Sequence, residues 1–338
     1  MIKCKYIFVF VVFLCTIHAS RGQDMHFSQY YLSPLTLNPA NTGNYRGDYR
    51  FFGNYRSQWR DLDKGYNTFT AGGDVNMYPN NFNISPGLLF MSDKSSLNLN
   101  VTKVIPSFAI HLKPGAFKVH LGVQPAVVFK AIDFYKHSFP EQMNWNTGGF
   151  DNTMPNSEPN VNQRTTYFDL NAGAVISRKF GKVEPEIGAA WFHINQPNES
   201  LIGNKSNRLP VRTTYNAAIS IDATRSFIVK LHSMYGYTTK ANDWVSGLHF
   251  EYVVSRGVFF DNSVFAGFMW RDGFNSNADA GIVTAGLNWS HYTLGFSYDI
   301  TMSELKTSVN SKGAYEIALI WRAKSSRLTK RVIPCERY

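Results

Sequence analysis

Phe117-Lys118-Val119-His120-Leu121-Gly122-Val123-Gln124-Pro125-Ala126-Val127-Val128-Phe129-Lys130 alternates with a period of two. Phe117, Val119, Leu121, Val123, Pro125, Val127 and Phe129 share one side, and Lys118, His120, Gly122, Gln124 and Lys130 lie on the other. Successive side chains of a strand point to opposite faces, whereas a helix repeats its apolar residues at spacings of three and four. The stretch therefore reads as one long strand with a greasy face and a wet face. The same pattern sets Phe227, Val229, Leu231, Tyr235 and Tyr237 against Ser226, Lys230, His232 and Gly236. It returns in Tyr292, Leu294, Phe296, Tyr298 and Ile300 against His291, Thr293, Gly295, Ser297 and Asp299.

Strand length decides which face is inside. Soluble sheets use strands of about 5–6 residues, while a strand that crosses a bilayer at a tilt needs about 9–11. The segments here are of the second kind. Composition agrees: of 338 residues 44% are hydrophobic and 15% aromatic, but only 17% are charged, against about 25% in a soluble globular chain. An outer surface that faces lipid needs no charged shell. Aromatic residues gather near strand ends, as in Phe51-Phe52 with Tyr55 and Trp59, Phe259-Phe260 with Phe268 and Trp270, and Tyr315 with Trp321. Such clusters form the interfacial girdles of outer-membrane barrels. Richness in aromatic and β-branched residues excludes disorder. Beyond the N-terminus no run approaches the ~20 apolar residues of a spanning helix, which excludes a membrane helix bundle.

Fourteen candidate strands begin near Asp48, Tyr66, Asn83, Asn98, Ala116, Thr165, Val183, Val211, Ser226, Trp244, Val258, Ala278, His291 and Gly313. The expected fold is all-β: a transmembrane barrel of about fourteen antiparallel strands over residues 48–323. An even number suits a closed barrel, which leaves no unpaired edge in hydrocarbon. With both termini on the periplasmic side, every second connection is short, and the three longest, Asp133 to Arg164, Gln196 to Pro210 and Thr301 to Lys312, all fall outside. That is the loop asymmetry of bacterial outer-membrane barrels. Asp133 to Arg164 is rich in Asn, Pro and Gly, either a tolerated surface insertion or a partner-binding or lid loop.

Lys3 and Lys5, the apolar run Ile7 to Leu14, and Ser20 and Gly22 form the three parts of a secretory signal, expected over residues 1–22. Its removal takes away Cys4 and Cys15, leaves Cys335 alone, and lowers the net charge from +10 to +7. Residues 324–338 are expected to form a basic periplasmic tail, suited to anionic lipid or an acidic partner.

No phosphate loop, paired Cys or His metal spacing, or G-x-S-x-G elbow is present in the sequence. We therefore expect no catalytic residues, no metal and no cofactor. The inward polar residues Lys118, His120, Lys130, Asp169, Asn171, His249, Glu251, Asp299 and Glu316 read as a solvated or salt-bridged barrel interior. Nucleic acid is not expected as a partner, because the cations do not cluster with stacking aromatics.

The expected mature chain opens Gln23-Asp24-Met25-His26-Phe27-Ser28-Gln29-Tyr30-Tyr31, continues Pro34-Leu35-Thr36-Leu37-Asn38-Pro39-Ala40 with Gly43, and enters the first strand through Arg50 and Asn54-Tyr55-Arg56-Ser57-Gln58-Trp59. It closes with Tyr298-Asp299, Ser303, Leu305, Gly313-Ala314-Tyr315-Glu316 and Ile333-Pro334-Cys335. These runs resemble the PorP/SprF family of the Bacteroidetes type IX secretion and gliding-motility apparatus, with Met25 where proline is usual and Ser57 where asparagine is common. The resemblance implies a multi-pass outer-membrane barrel in outer-membrane lipid. It also implies partners among the periplasmic ring proteins, a peptidoglycan-linked lipoprotein and secreted surface adhesins. Residues 23–47 are too aromatic for a floppy tail and are expected to pack at or in the barrel, as a periplasmic or plug segment. Candidate partner-binding or plug residues are His26, Phe27, Ser28, Gln29, Tyr30, Tyr31, Asn38, Pro39, Asn54, Tyr55, Arg56, Gln58 and Trp59. These residues either form a plug-and-rim unit with a specific role or only pack the barrel mouth. An outer-membrane diffusion channel or hydrophobic-solute transporter is the alternative function.

Overall fold

The computed structural model describes residues 26–325 apart from 61–64, 80–82, 96–98, 133–139, 152–153, 155–163, 202–203, 205, 240, 258, 273–277 and 304–311. The expected signal at 1–22 and nearly all of the expected basic tail lie outside the described residues. The barrel strands are β1 Tyr49–Gln58, β2 Tyr66–Val75, β3 Asn83–Lys94, β4 Leu99–Leu112, β5 Phe117–Ile132, β6 Arg164–Arg178 and β7 Val183–Phe192. They continue with β8 Arg212–Asp222, β9 Phe227–Thr238, β10 Ala241–Ser255, β11 Asn262–Asp272, β12 Ala278–Trp289, β13 Tyr292–Thr301 and β14 Lys312–Arg322. Each strand pairs with its sequence neighbour, and β14 returns to β1 to close the barrel. The closing pair is antiparallel, with Arg50 opposite Arg322, Arg56 opposite Glu316 and Gln58 opposite Ala314. Closure satisfies the backbone of every strand, a requirement that hydrocarbon imposes.

Alternation puts lipid outside. In β5, Phe117, Leu121, Val123, Val127 and Phe129 are exposed, while His120, Gln124, Ala126 and Val128 are buried. Lys130 and Glu199 form an ion pair of 2.8 Å, and Lys118 and Glu184 one of 2.6 Å. One rim carries the turns 113–116, 179–182, 223–226, 256–261 and 290–291; the other carries the long connections 133–163, 193–211 and 302–311. On the loop asymmetry of outer-membrane barrels, the first is the periplasmic rim and the second the outer rim.

Two strand starts move. β10 begins at Ala241, three residues before the expected Trp244, because Asp243 already faces inward, where Arg212 Nη2 donates to it at 3.3 Å. β11 begins at Asn262, later than the expected start near Val258, which lies outside the described residues. There the turn is closed first by Arg256 donating to Asp261 at 2.6 Å and by the Gly257 amide donating to Asp261 at 3.1 Å. Within the long 133–163 connection, Met143–Asn144 and Gly149–Phe150 pair as a small hairpin.

The wet face is less wet than its sequence implies. Phe52, expected in the outer girdle with Phe51, is 5% exposed and faces inward, whereas Phe51 is 58% exposed and lies 5.8 Å from Trp321, ring to ring. Inside, Phe52, Leu89, Ile105, Ala126, Ala318 and Ile320 cluster around Leu32 and Leu35. A second cluster of Met234, Val245, Met269 and Ile282 surrounds Tyr30. Both clusters center on the N-terminal segment, so the barrel has a hydrophobic core built like that of a soluble protein, with the segment as its middle layer.

Candidate functional site

Residues 26–47 run through the lumen from one rim to the other. His26 lies at the outer rim, its Nδ1 3.8 Å from Asp243, three residues into β10. Tyr45 lies at the periplasmic rim, its hydroxyl donating to the carbonyls of Asp48 and Asp74. Between them are 3-10 turns at Tyr30–Leu32 and Pro39–Asn41 and one helical turn, Pro34–Leu37. Proline opens two of these turns, where its missing N–H costs nothing. Of the two expected placements, periplasmic or plug, residues 26–47 take the second: they lie inside the barrel, where their apolar side chains complete its two core clusters.

Polar contacts fix the segment at three levels. At the outer level the Ser28 and Gln29 amides donate to the two carboxylate oxygens of Glu316 at 2.6 and 2.9 Å. Ser28 Oγ donates to Asp299 Oδ2 at 2.8 Å. Arg56 donates to Ser28 Oγ at 2.7 Å, to Asp299 at 3.1 Å and to Glu316. Arg271 adds donations to Ser28 Oγ at 3.0 Å and to Asp299 at 2.9 Å, and its Nε binds Asp279 at 2.7 Å. Ser28, Gln29, Arg56, Arg271, Asp299 and Glu316 are all buried. Buried charges persist only when paired and hydrogen-bonded, and here each of the two arginines meets two carboxylates.

At the middle level Asn38 Oδ1 caps the second 3-10 turn by accepting from the Ala40 amide at 2.9 Å. Its amide group donates to the Ala174 and Ala189 carbonyls of β6 and β7 at 3.2 and 3.1 Å, and to Asn216 Oδ1 of β8 at 3.3 Å. Gln124 of β5 donates to the Leu35 carbonyl at 3.0 Å, and Asn54 of β1 to the Leu32 carbonyl at 3.3 Å. At the periplasmic level Arg50 grips Asp74 with Nε at 2.9 Å and Nη2 at 2.6 Å, and donates to the Asn41 carbonyl at 2.9 Å. The Gly43 amide donates to the same carboxylate at 2.6 Å.

Glycines in the wall let the segment in. A Cβ on Gly122 would stand 2.3 Å from the Pro39 carbonyl oxygen, and one on Gly173 2.1 Å from Asn38 Oδ1. At Gly295 it would meet Leu32 Cδ1 at 2.3 Å. These positions sit inside strands, where glycine marks the close approach of another backbone.

The expected site residues divide. His26, Phe27, Ser28, Gln29, Tyr30, Tyr31, Asn38 and Pro39 belong to the segment, and Asn54 and Arg56 face it from β1. Gln58 accepts from Arg56 Nη2 at 3.1 Å and orients it. Tyr55 is elsewhere: its hydroxyl donates to Asn67 at 3.0 Å and its ring lies 5.9 Å from Tyr315. Trp59, at a left-handed φ of 53°, packs its ring edge-on against Tyr66, 5.4 Å between centroids. Tyr31 stacks on His232 at 4.9 Å and meets His249 edge-on at 4.7 Å. Sequence reasoning named Asp299 and Glu316 as inward polar residues but missed their joint hold on Ser28. It missed Asp74 and Arg271 as anchors altogether. The detectable signal was the set of glycines inside otherwise apolar strands.

A family model described as the type IX secretion system membrane protein PorP/SprF matches residues 19–321. The chain belongs to the PorP/SprF family. That membership carries a coarse placement, an outer-membrane barrel of type IX secretion that works with the secretion machinery. The match spans both the lumen segment and the closing strand, so the buried network lies wholly within the family region. No curated protein matches the chain. Among solved structures, the Ralstonia pickettii toluene transporter TbuX is similar over 86% of this chain and 93% of its own, with 11% identity and a TM-score of 0.51. A Pseudomonas aeruginosa FadL homologue is similar over 84% and 92%, with 11% identity and a TM-score of 0.50. The Pseudomonas putida toluene transporter TodX is similar over 85% and 92%, with 9% identity and a TM-score of 0.50. At such identities the likeness is one of fold, an outer-membrane barrel.

Proposed function

We propose that this PorP/SprF protein is a non-enzymatic, stoppered barrel that serves type IX export as a fixed outer-membrane platform, supporting secretion and surface attachment of large adhesins. The outer rim, with its long loops, receives the secreted partner. The periplasmic rim and the basic sequence after Arg322 face the ring proteins and the peptidoglycan-linked lipoprotein. The observation that carries the reading is the lumen segment, held at three levels and packed into two apolar clusters. A segment held in this way favors a scaffold over a diffusion channel.

The test is a His26→Ala, Gln29→Ala and Arg56→Ala triple variant in the source organism, with barrel abundance followed by immunoblot and adhesin at the cell surface by labelling. Adhesin per barrel is expected to fall at least fivefold. Loss of adhesin only in proportion to lost barrel would reduce the segment to a packing role. Robust selective solute uptake by the purified barrel in liposomes, without partners, would favor the channel reading instead.

A further inference from the structure

A chamber of about 310 Å³ lies between the segment and the wall formed by β9 to β14 and β1, within the ~300–1,000 Å³ of small-molecule sites. Its deep part is apolar and aromatic, with Leu32, Phe265, Ile320, Tyr31 and His249. Its shallow part carries Arg50, Lys230, Glu251 and Arg322. A neighboring cavity of about 230 Å³ shares Lys230, Glu251 and Arg322 and adds Arg46, Asp261, which Arg256 holds at 2.6 Å, and then Phe259 and Phe260. The last two belong to the 256–261 turn, so the chamber reaches the periplasmic rim.

The charges in the chamber do not cancel. Asp74 matches Arg50 and Glu251 matches Lys230, each pair at 2.6 Å. Arg322 has no ion pair among the described residues. It donates to Thr293 Oγ1 at 3.2 Å and lies over the Phe260 ring at 5.2 Å, while its Nε is buried with no hydrogen-bond partner. Deeper in, His249 is 2% exposed and neither ring nitrogen has a partner. Buried polar groups without partners are costly and point to a ligand or function. The chamber thus runs from a cationic mouth to an apolar, aromatic floor that also holds the imidazoles of His232 and His249.

We propose that this chamber binds a single-chain amphiphilic anion from the periplasm. A phosphate or carboxylate head meets Arg322 at the mouth, and an apolar body lies against Ile320, Phe265 and Tyr31 toward His249. Arg322 supplies the planar fork that suits such heads, and the limited volume selects one chain over two.

The experiment is calorimetric titration of the purified full-length barrel in nonionic detergent with hexyl phosphate, hexanoate, inorganic phosphate, hexanol and dihexanoyl phosphatidate. Hexyl phosphate or hexanoate is expected to bind saturably at one per barrel. Inorganic phosphate, hexanol and the two-chain phosphatidate are expected to bind at least tenfold more weakly. Arg322→Gln is expected to weaken the best ligand at least tenfold, with the folded state checked by heat-modifiable electrophoretic mobility. Absence of saturable binding overturns the proposal. So does inorganic phosphate or the phosphatidate binding as well as the best single-chain anion, or a folded Arg322→Gln barrel that binds unchanged. Should that variant fail to fold, the wild-type ligand series decides alone.

Discussion

Arg56 of β1 and Glu316 of β14 are register partners across the seam that closes the barrel, and both hydrogen-bond Ser28 of the lumen segment. One buried pair therefore serves closure and plugging together. Removing one partner of a buried pair costs up to about 3–5 kcal/mol, and less here because Arg56 keeps Asp299 at 3.1 Å. Glu316→Ala is expected to lower the free energy of unfolding extrapolated from urea titration by a few kcal/mol and to speed amide exchange at Ser28 and Gln29. Unchanged exchange at those two amides would show that Glu316 does not hold the segment.

Gly122 faces the Pro39 backbone so closely that no side chain fits. Gly122→Val is expected to fold as a barrel but to displace the segment near Asn38 to Thr42. Limited proteolysis should then cut within residues 26–43, where the wild-type protein resists. Equal resistance in the variant would contradict the close approach.

Asn38 is the only segment side chain described as reaching both β6 and β7, by donating to the Ala174 and Ala189 carbonyls. Asn38→Asp keeps the shape and the capping oxygen but removes both donors, and faces carbonyls with a carboxylate. Unpartnered buried acceptors cost about 1–3 kcal/mol each. Thermal unfolding in detergent should show a clear drop in midpoint for Asn38→Asp, while a surface control such as Asn146→Asp should show none.

His26 provides a pH test. Burial pushes its imidazole down to about 4; Asp243 opposes the shift, and Arg271, Arg212 and Arg56 reinforce it. The neutral ring is therefore the one that packs, and the 3.8 Å approach to Asp243 is not an ion pair at neutral pH. Stability from this neutral packing is fully present above the ordinary value of 6.5 and is lost as pH falls toward 4. Amide exchange of residues 26–31, corrected for intrinsic rates, should rise across that window in the wild type and less in His26→Gln. Identical profiles would remove His26 from the account.

Much of the barrel was legible in the sequence, because alternation, strand length and loop parity each act locally. The Phe117–Lys130 stretch alone fixes a face to lipid. The inner face was harder to read. Phe52 read as part of the girdle, because nothing local says that the lumen holds an apolar layer supplied by Leu32 and Leu35, about twenty positions earlier in the chain. Asp74 and Arg271 were invisible for the same reason: each is one polar residue on an alternating strand until the segment arrives beside it. Arg56 was legible only within its motif, and its register partner Glu316 only once the last strand met the first.

The central claim is that the N-terminal segment stoppers the barrel, and planar-bilayer conductance of the purified protein tests it most directly. The wild-type barrel is expected to show no stepwise conductance, and Gly122→Val, with its segment displaced, to show stable steps. A wild-type barrel that conducts in regular steps as large as those of the variant would contradict the account.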